Sequence, residues 1–352
     1  MKTFTPQQMT ADRLSELIER FPSRRIAVIG DFFLDKYLDT DPRIIESSVE
    51  TGRHAHQVVQ IRRAPGVAGT VVNNLASLGT GTIYTLGAIG DDGEAFDLRR
   101  CLTQLGCRVE GLLQFDSLMT PQYLKPRNIT DPSLKGEHDR YDTKNRRPMP
   151  AEIGERVLAA LDKVLPELDA VIISDQVEYD DCGIITAAVR HGLSERAQRH
   201  PRVIFWVDSR THIKHFRHVH IKPNQFEAVD FPAPKPEDRI SLEQIEQSLP
   251  QLAADARAPV CITLGERGMC VSDPVPTLVP GVRVPPLIDS TGAGDSATAG
   301  CVLALAAGAN LAEGALVGNL VASITVQQLA VTGTAKPSEL IPRLQMWKEQ
   351  QS

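Results

Sequence analysis

The stretch Ile288-Asp289-Ser290-Thr291-Gly292-Ala293-Gly294-Asp295-Ser296-Ala297-Thr298-Ala299-Gly300 places a turn of small residues directly before an apolar helical pattern. Such a turn lets several backbone N–H groups converge on one anion, and the dipole of the following helix adds positive potential at the same point. Bulky side chains at 292–294 would obstruct that approach. Asp295 falls in the first helical turn. Read structurally, it is a carboxylate that favours the helix dipole. Read chemically, it is a base that takes a proton from a hydroxyl while the backbone donors stabilise a transferred phosphoryl group. The turn taken alone leaves both readings open.

Other residues could complete such a site. In Lys222-Pro223-Asn224-Gln225-Phe226-Glu227, Asn224 and Glu227 stand three apart at a helix start, where they share one face and can bridge a hydrated cation to phosphate. The same pair also reads as an N-cap with its capping-box Glu. Thr263-Leu264-Gly265-Glu266-Arg267-Gly268 ends a strand, and Gly268 suits a hairpin turn. Asp31 and Asp35 stand four apart just after the first strand, where carboxylates can accept paired hydrogen bonds from vicinal hydroxyls; solvated loop acids are the alternative. Lys125, Arg127, Arg140 and Lys144 are candidate partners for an anionic substrate group, although a charge-rich segment is commonly a solvated surface. His212, His215, His218 and His220 are interleaved with Lys214 and Arg217, which favours a polar surface turn over a metal site.

The elements that must position these groups alternate in type. Apolar runs at Ile26–Ile29, Ile83–Ile89, Ala170–Ile173, Val203–Val207 and Val260–Leu264 read as buried strands. Helical patterns lie between them at about 67–78, 94–105, 151–164, 181–191 and 242–256. This order predicts a parallel sheet covered on both faces. A short amphipathic helix over 11–21 precedes it, with Thr10 as N-cap, and the last third is helical from Ala293 through Ala330, with a break near Gly308, then over 337–349. Residues 36–63 and about 108–141 break the alternation with short β-like pieces, Val58–Ile61 and Gln122–Lys125, and read as excursions that pair into a small lid. The length of 352 residues allows two domains, but without a repeat or a low-complexity linker the expectation is one domain over 23–352, preceded by a helical extension over 1–22. With 38 basic against 44 acidic residues, no global positive field draws the chain to nucleic acid or anionic lipid, so an anionic ligand must be held locally. Six cysteines without CxxC spacing, no apolar stretch long enough to span a membrane and no signal peptide point to a cytoplasmic protein with reduced thiols.

Asp289-Ser290-Thr291-Gly292-Ala293-Gly294-Asp295 with Ala299-Gly300 closely resembles the C-terminal signature of the ribokinase-like, or PfkB, carbohydrate kinases, and the likeness covers nearly the whole chain. The resemblance implies an α/β ribokinase-like fold with a small β lid and transfer of the ATP γ-phosphate to a sugar or sugar-phosphate hydroxyl. It makes Asp295 the catalytic base and Gly292, Ala293 and Gly294 the anion hole. Asp289 and Thr291 then match positions that hold a monovalent cation such as K⁺. Asn224 and Glu227 match those that organise Mg²⁺, partly through water. Thr263, Gly265 and Gly268 fall on the nucleotide side, and Asn319 near the adenine; as a lone helical Asn it also reads as a packing hydrogen bond. Asp208-Ser209-Arg210 resembles an element that shapes the phosphate cleft.

On the acceptor side, Gly30-Asp31-Phe32-Phe33-Leu34-Asp35-Lys36-Tyr37, Pro42-Arg43-Ile44, Asn74-Leu75-Ala76-Ser77-Leu78-Gly79 and Ser174-Asp175 resemble the heptose-phosphate kinases, while Ile89-Gly90-Asp91-Asp92-Gly93 matches the wider family. That implies Asp31, Asp35, Gly66, Thr70 and Lys125 as substrate contacts. At Ala64-Pro65-Gly66-Val67-Ala68-Gly69-Thr70 the chain departs: Val67 stands where the family has a second Gly, and Thr70 where it has an Asn. This motivates two alternatives, a catalytically weak regulator on the same fold and a kinase for a pentose, hexose or nucleoside. A Rossmann dehydrogenase is excluded because no GxGxxG follows the first strand. Since the sequence ends at Ser352, a stand-alone kinase without the nucleotidyltransferase domain of bifunctional heptose enzymes is expected, and the lid of relatives makes a homodimer the expected partner arrangement.

Overall fold

Successive residues of a strand point to opposite faces of its sheet, so a run that is apolar at every position needs cover on both sides. The computed structural model, which describes residues 1–131, 136–235, 237–329 and 332–351, meets that requirement. Ile26, Val28, Ala170, Ile172 and Trp206 pack into one core, with the helices Ala68–Ser77, Ala293–Ala306 and Leu311–Thr325. Ala27, Ile29, Val171, Ile173, Phe205 and Val207 pack into a second, with Ala151–Val164, Ala187–Arg199 and Leu242–Ala256.

Between the two cores lies a six-stranded sheet in the order His220–Ile221, Ile204–Ser209, Ala170–Asp175, Arg25–Gly30, Thr82–Gly90, Leu112–Phe115. Every pairing in it is parallel. Helices thus cover both faces, as the alternating pattern predicts. The C-terminal ends of the central strands, at Gly30, Asp175 and Ser209, lie side by side and open toward the loops that carry the candidate residues.

A second sheet stands off from the first, in the order Tyr141–Thr143, Gln122–Asn128, Phe32–Thr40, Val58–Val67. It begins one residue after Asp31, earlier than the excursion read from position 36, because Phe32–Thr40 pairs in register with both neighbours. Leu112–Phe115, read within the second excursion, instead forms the edge of the main sheet. Residues 132–135 of that excursion, and Ala330 at the end of the C-terminal helical pattern, lie outside the described residues.

Two further elements differ from expectation. The helix read over 181–191 is Ala187–Arg199: Asp181 takes a left-handed φ of 54° and Thr186 caps the helix by accepting Val189 N–H, so the apolar spacing of Cys182, Ile184 and Ile185 belongs to a packed loop. The run at Val260–Leu264 is also not a strand of the main sheet. Cys261–Thr263 pairs antiparallel with Gly268–Val271, in a separate sheet completed by Thr277–Pro280 and the N-terminal Lys2–Thr3. Single parallel bridges, Ile221 to Val260 and Asn224 to Thr263, tie that sheet to the first.

The N-terminal helix, Ala11–Arg20, is capped by the Thr10 side chain and buries Leu14 and Leu17 in the first core. All six cysteines are free thiols. Among the described residues no helix is long and apolar enough to cross a membrane.

Candidate functional site

The small-residue turn folds as a helix entrance. Gly292 caps Ala293–Ala306 with a φ of 75°, a conformation that favours glycine, and Asp289 Oδ1 braces the turn by accepting Thr291 N–H at 3.0 Å. Ala293 N–H donates to Ser290 O at 3.1 Å, and Ser296 N–H makes the first bond back, to Gly292 O at 2.9 Å. The amides of Gly294 and Asp295 stand between them, before the helical ladder begins. A Cβ on Gly292 would lie 3.2 Å from Thr70 Cγ2, and one on Gly294 would lie 3.6 Å from Lys222 Nζ and 3.9 Å from Asp208 Oδ2. A side chain at Gly292 would press on Thr70, whereas a methyl at Gly294 would make ordinary contact with Lys222 and Asp208.

Charge gathers around it. Lys222 follows the edge strand of the main sheet, is buried, and donates from Nζ to Asp208 Oδ2 at 2.8 Å. Burial opposes its charge, but Asp208, Asp295 and Glu227 together hold its pKa above the usual value. Burial and the neighbouring Asp208 push the half-buried Asp295 carboxyl up to about 8, against the pull of Lys222. A carboxyl tuned there can hold or release a proton near neutral pH, as a general base must. Asp35 and Arg210 also act on it electrostatically, so the segment after the first strand and the Gly292–Gly294 turn face one point.

Asn224 and Glu227 form the capping box: Asn224 Oδ1 accepts Phe226 N–H and Glu227 N–H, and Glu227 Oε2 accepts Asn224 N–H at 2.8 Å. Burial raises the Glu227 pKa, and Asp208 adds to it. Thr263 pairs with Asn224 across the bridge between sheets. Gly265 stands open with a φ of 61°, whereas Gly268 serves the hairpin. Asn319 is buried, and its amide donates to Val279 O and Pro280 O at 3.0 and 3.2 Å, which is the packing hydrogen bond rather than a free contact.

Asp31 and Asp35, both expected to contact the acceptor, behave differently. Asp31 is buried and its oxygens accept Ile184 N–H at 2.8 Å and Gln176 N–H at 3.1 Å, so it anchors the loop after Ala170–Asp175. Burial and Asp175 raise its pKa to about 6. Asp35 receives Lys125 Nζ on Oδ2 at 3.2 Å, while Oδ1 is buried without a partner. Gly66 lies against it: a Cβ there would stand 2.8 Å from Asp35 Cγ. Tyr123 gathers the candidate cations, with Arg140 Cζ, Lys144 Nζ and Lys125 Nζ at 4.3, 5.6 and 5.8 Å from its ring centroid. Arg127 is buried farther along the same strand and is not part of this group.

The surroundings of Lys222 and Tyr123 were not visible in the sequence, since each includes groups brought from distant segments, Asp208 and Asp295 for one and Arg140 and Lys144 for the other. For Lys222 the available signal was its place beside Asn224. The histidine stretch needs correction: His212 is buried between Asp175 and Asp180, not on a surface turn.

With this geometry in hand, residues 205–338 match the family model described as pfkB family carbohydrate kinase. Over that segment the chain resembles the PfkB carbohydrate kinases. Asp208, Lys222, Asn224, Glu227, Thr263, Asp289–Asp295 and Asn319 lie inside the match, and Asp31, Asp35, Gly66, Thr70 and Lys125 precede it. The chain is 29% identical over 93% of its length to a protein named bifunctional protein HldE from Desulfatibacillum aliphaticivorans, and 28% identical over 90% to its namesake from Caulobacter vibrioides. It spans 64% and 63% of those relatives, just under two thirds. The fold is ribokinase-like. Arabidopsis thaliana ribokinase, in its complex with ribose and ATP, superimposes with a TM-score of 0.64 at 16% identity, covering 91% of this chain and 98% of that one. Phosphofructokinase-2 from Escherichia coli with fructose-6-phosphate gives 0.66 at 16% identity, over 92% and 98%.

Proposed function

We propose that this chain is an ATP-dependent kinase that transfers the γ-phosphate to a hydroxyl of a sugar or sugar phosphate. The observation that carries this reading is Asp295, held to about 8 beside Lys222 at the mouth of the Gly292–Gly294 turn and within electrostatic reach of Asp35. Asp295 takes the hydroxyl proton, and the turn amides with Lys222 receive the charge on the transferred group. The oxygens of Asn224 and Glu227 that already accept backbone N–H bonds fit a hydrated Mg²⁺ better than a dehydrated one. When bound, Mg²⁺ neutralises charge on the nucleotide phosphates. Asp289 and Thr291 would hold K⁺ beside the turn.

A heptose phosphate is the acceptor we favour. Its support is the likeness at Gly30–Tyr37 together with Arg140 and Lys144 near Tyr123, where a phosphate group would find cations. The second sheet serves as the lid of a single kinase domain, excluding water during transfer. Its exposed Val58, Val59 and Ile61 support pairing with a second copy. Nucleotide use and six free thiols fit the cytoplasm.

The test is ADP release against pentoses, hexoses, nucleosides and heptose 7-phosphates, with Asp295→Asn as control. Acceptor-dependent release that survives unchanged in Asp295→Asn overturns the mechanism. Tight binding of a sugar phosphate without turnover favours the regulator reading.

A further inference from the structure

His212 belongs to none of the groups above, yet it is 7% exposed and both of its ring nitrogens face carboxylates. Nδ1 lies 3.3 Å from Asp175 Oδ2 and Nε2 lies 2.8 Å from Asp180 Oδ1. Asp175 ends the central strand Ala170–Asp175 and also accepts Ser209 Oγ–H at 2.7 Å, while Ser209 Oγ accepts His212 N–H at 3.0 Å. Asp180 sits five residues farther along the chain, in the loop that closes over Asp31. His212 thus ties the two ends of one strand-to-loop passage.

That loop builds the acceptor side. Gln176 N–H and Ile184 N–H bind Asp31, Val177 and Cys182 pack on Phe33 at the base of the lid, and Glu178 pairs with Arg210. We propose that His212 is a positioning residue, which through Asp175 and Asp180 fixes the 176–184 loop as a wall of the acceptor pocket. The proposal rests on the assignment of the acceptor to the Asp31 and Asp35 side. Each ring nitrogen of this latch thus faces a carboxylate oxygen, the partner for a ring N–H. The other groups facing it are Thr211 Oγ1 at 3.1 Å from Nδ1, His215 with ring centroids 5.8 Å apart, and Arg190, which acts on Asp175 and Asp180; Asp31 faces Asp175 from the first strand. Removing the ring withdraws the compensation of Asp175, whose burial already raises its pKa, so the carboxyl protonates at higher pH.

The experiment compares His212→Gln and Asp180→Asn with the unaltered chain. Asp180 is 93% exposed, so its variant tests the latch without disturbing the core. With sedoheptulose 7-phosphate as probe, we expect KM for the sugar phosphate to rise about tenfold in His212→Gln and by a smaller factor in Asp180→Asn, with KM for ATP within about twofold. The acid limb of kcat/KM should also move to higher pH in His212→Gln. Independently of turnover, hydrogen exchange at the Gln176 and Ile184 amides should quicken in both variants while Ala293–Ala306 stays protected. Unchanged exchange at those two amides, or an equal rise in both KM values, overturns the proposal. If the chain phosphorylates no probe, the exchange measurement still decides it, which separates failure of the latch from failure of the kinase reading.

Discussion

Buried Lys222 Nζ and partly buried Asp208 Oδ2 form an ion pair at 2.8 Å directly beneath Gly294, so the Gly292–Gly294 turn rests on a cation whose partner is also a neighbour of Asp295. A buried pair contributes little net stability compared with an apolar replacement, but breaking one half is costly. Lys222→Met should lower stability by about 3–5 kcal/mol and kcat by roughly a hundredfold or more. Adding Asp208→Asn should restore part of the stability and none of the activity. Urea unfolding and ADP-release assays on the single and double variants check both; a double variant no more stable than the single one contradicts the pairing.

Asp295 gives a pH dependence of definite sign. Its folded pKa of about 8 lies above the ordinary 3.8, so between those values the folded state holds a proton that the unfolded state has released. Stability contributed by this group is present at low pH and lost as pH rises toward 8. Asp295→Asn cannot ionise, so its melting temperature relative to the unaltered chain should increase from about pH 5 to about pH 9. Activity runs the other way: kcat/KM of the unaltered chain should climb through the same range as the base ionises, and the Asn variant should lose roughly 10²–10⁴ in rate. A relative melting temperature that does not change with pH would falsify the raised pKa of this carboxyl.

Gly66 and Asp35 are in contact by shape. Gly66→Ala puts a methyl 2.8 Å from Asp35 Cγ and must displace that carboxylate. The expected result is a rise of at least about tenfold in acceptor KM with ATP KM unchanged, measured by titrating each substrate in turn. An equal effect on ATP would remove Asp35 from the acceptor side.

Val67 occupies a φ of 60°, where a β-branched residue is strained by about 1–3 kcal/mol. Glycine relieves that strain and alanine does not, while both lose the packing of the half-buried side chain against Phe33 and Val177. Val67→Gly should therefore be more stable than Val67→Ala by about 1 kcal/mol, the reverse of the ordinary ranking. Chemical denaturation of the two variants checks the order.

Much of the fold was legible because it follows from local rules. Alternation of apolar runs with helical periods gave the parallel sheet and its two cores, and Thr10, Asn224 and the glycines around Ala293 marked helix starts at their places. Legibility failed where a local pattern had two solutions. Cys182, Ile184 and Ile185 fit a helical period but lie in the loop around Asp31, because Thr186 caps the helix later. Val260–Leu264 reads as a buried parallel strand, yet the turn through Gly265 and Gly268 folds it antiparallel.

The sequence by itself determined the small-residue turn before Ala293–Ala306, since such a turn needs only small residues and a following helix, all within a few positions. It also marked Val67 and Thr70 as departures from the family's pattern. Only the tertiary structure decided which side chains face one another: that Lys222 meets Asp208, that Asp31 is occupied by loop amides while Asp35 keeps a buried oxygen without a partner, and that His212 is buried between two carboxylates. The physical reason is range. Backbone preferences act over a few residues and leave a pattern, whereas hydrogen bonds and burial join segments whose separation along the chain carries no signal.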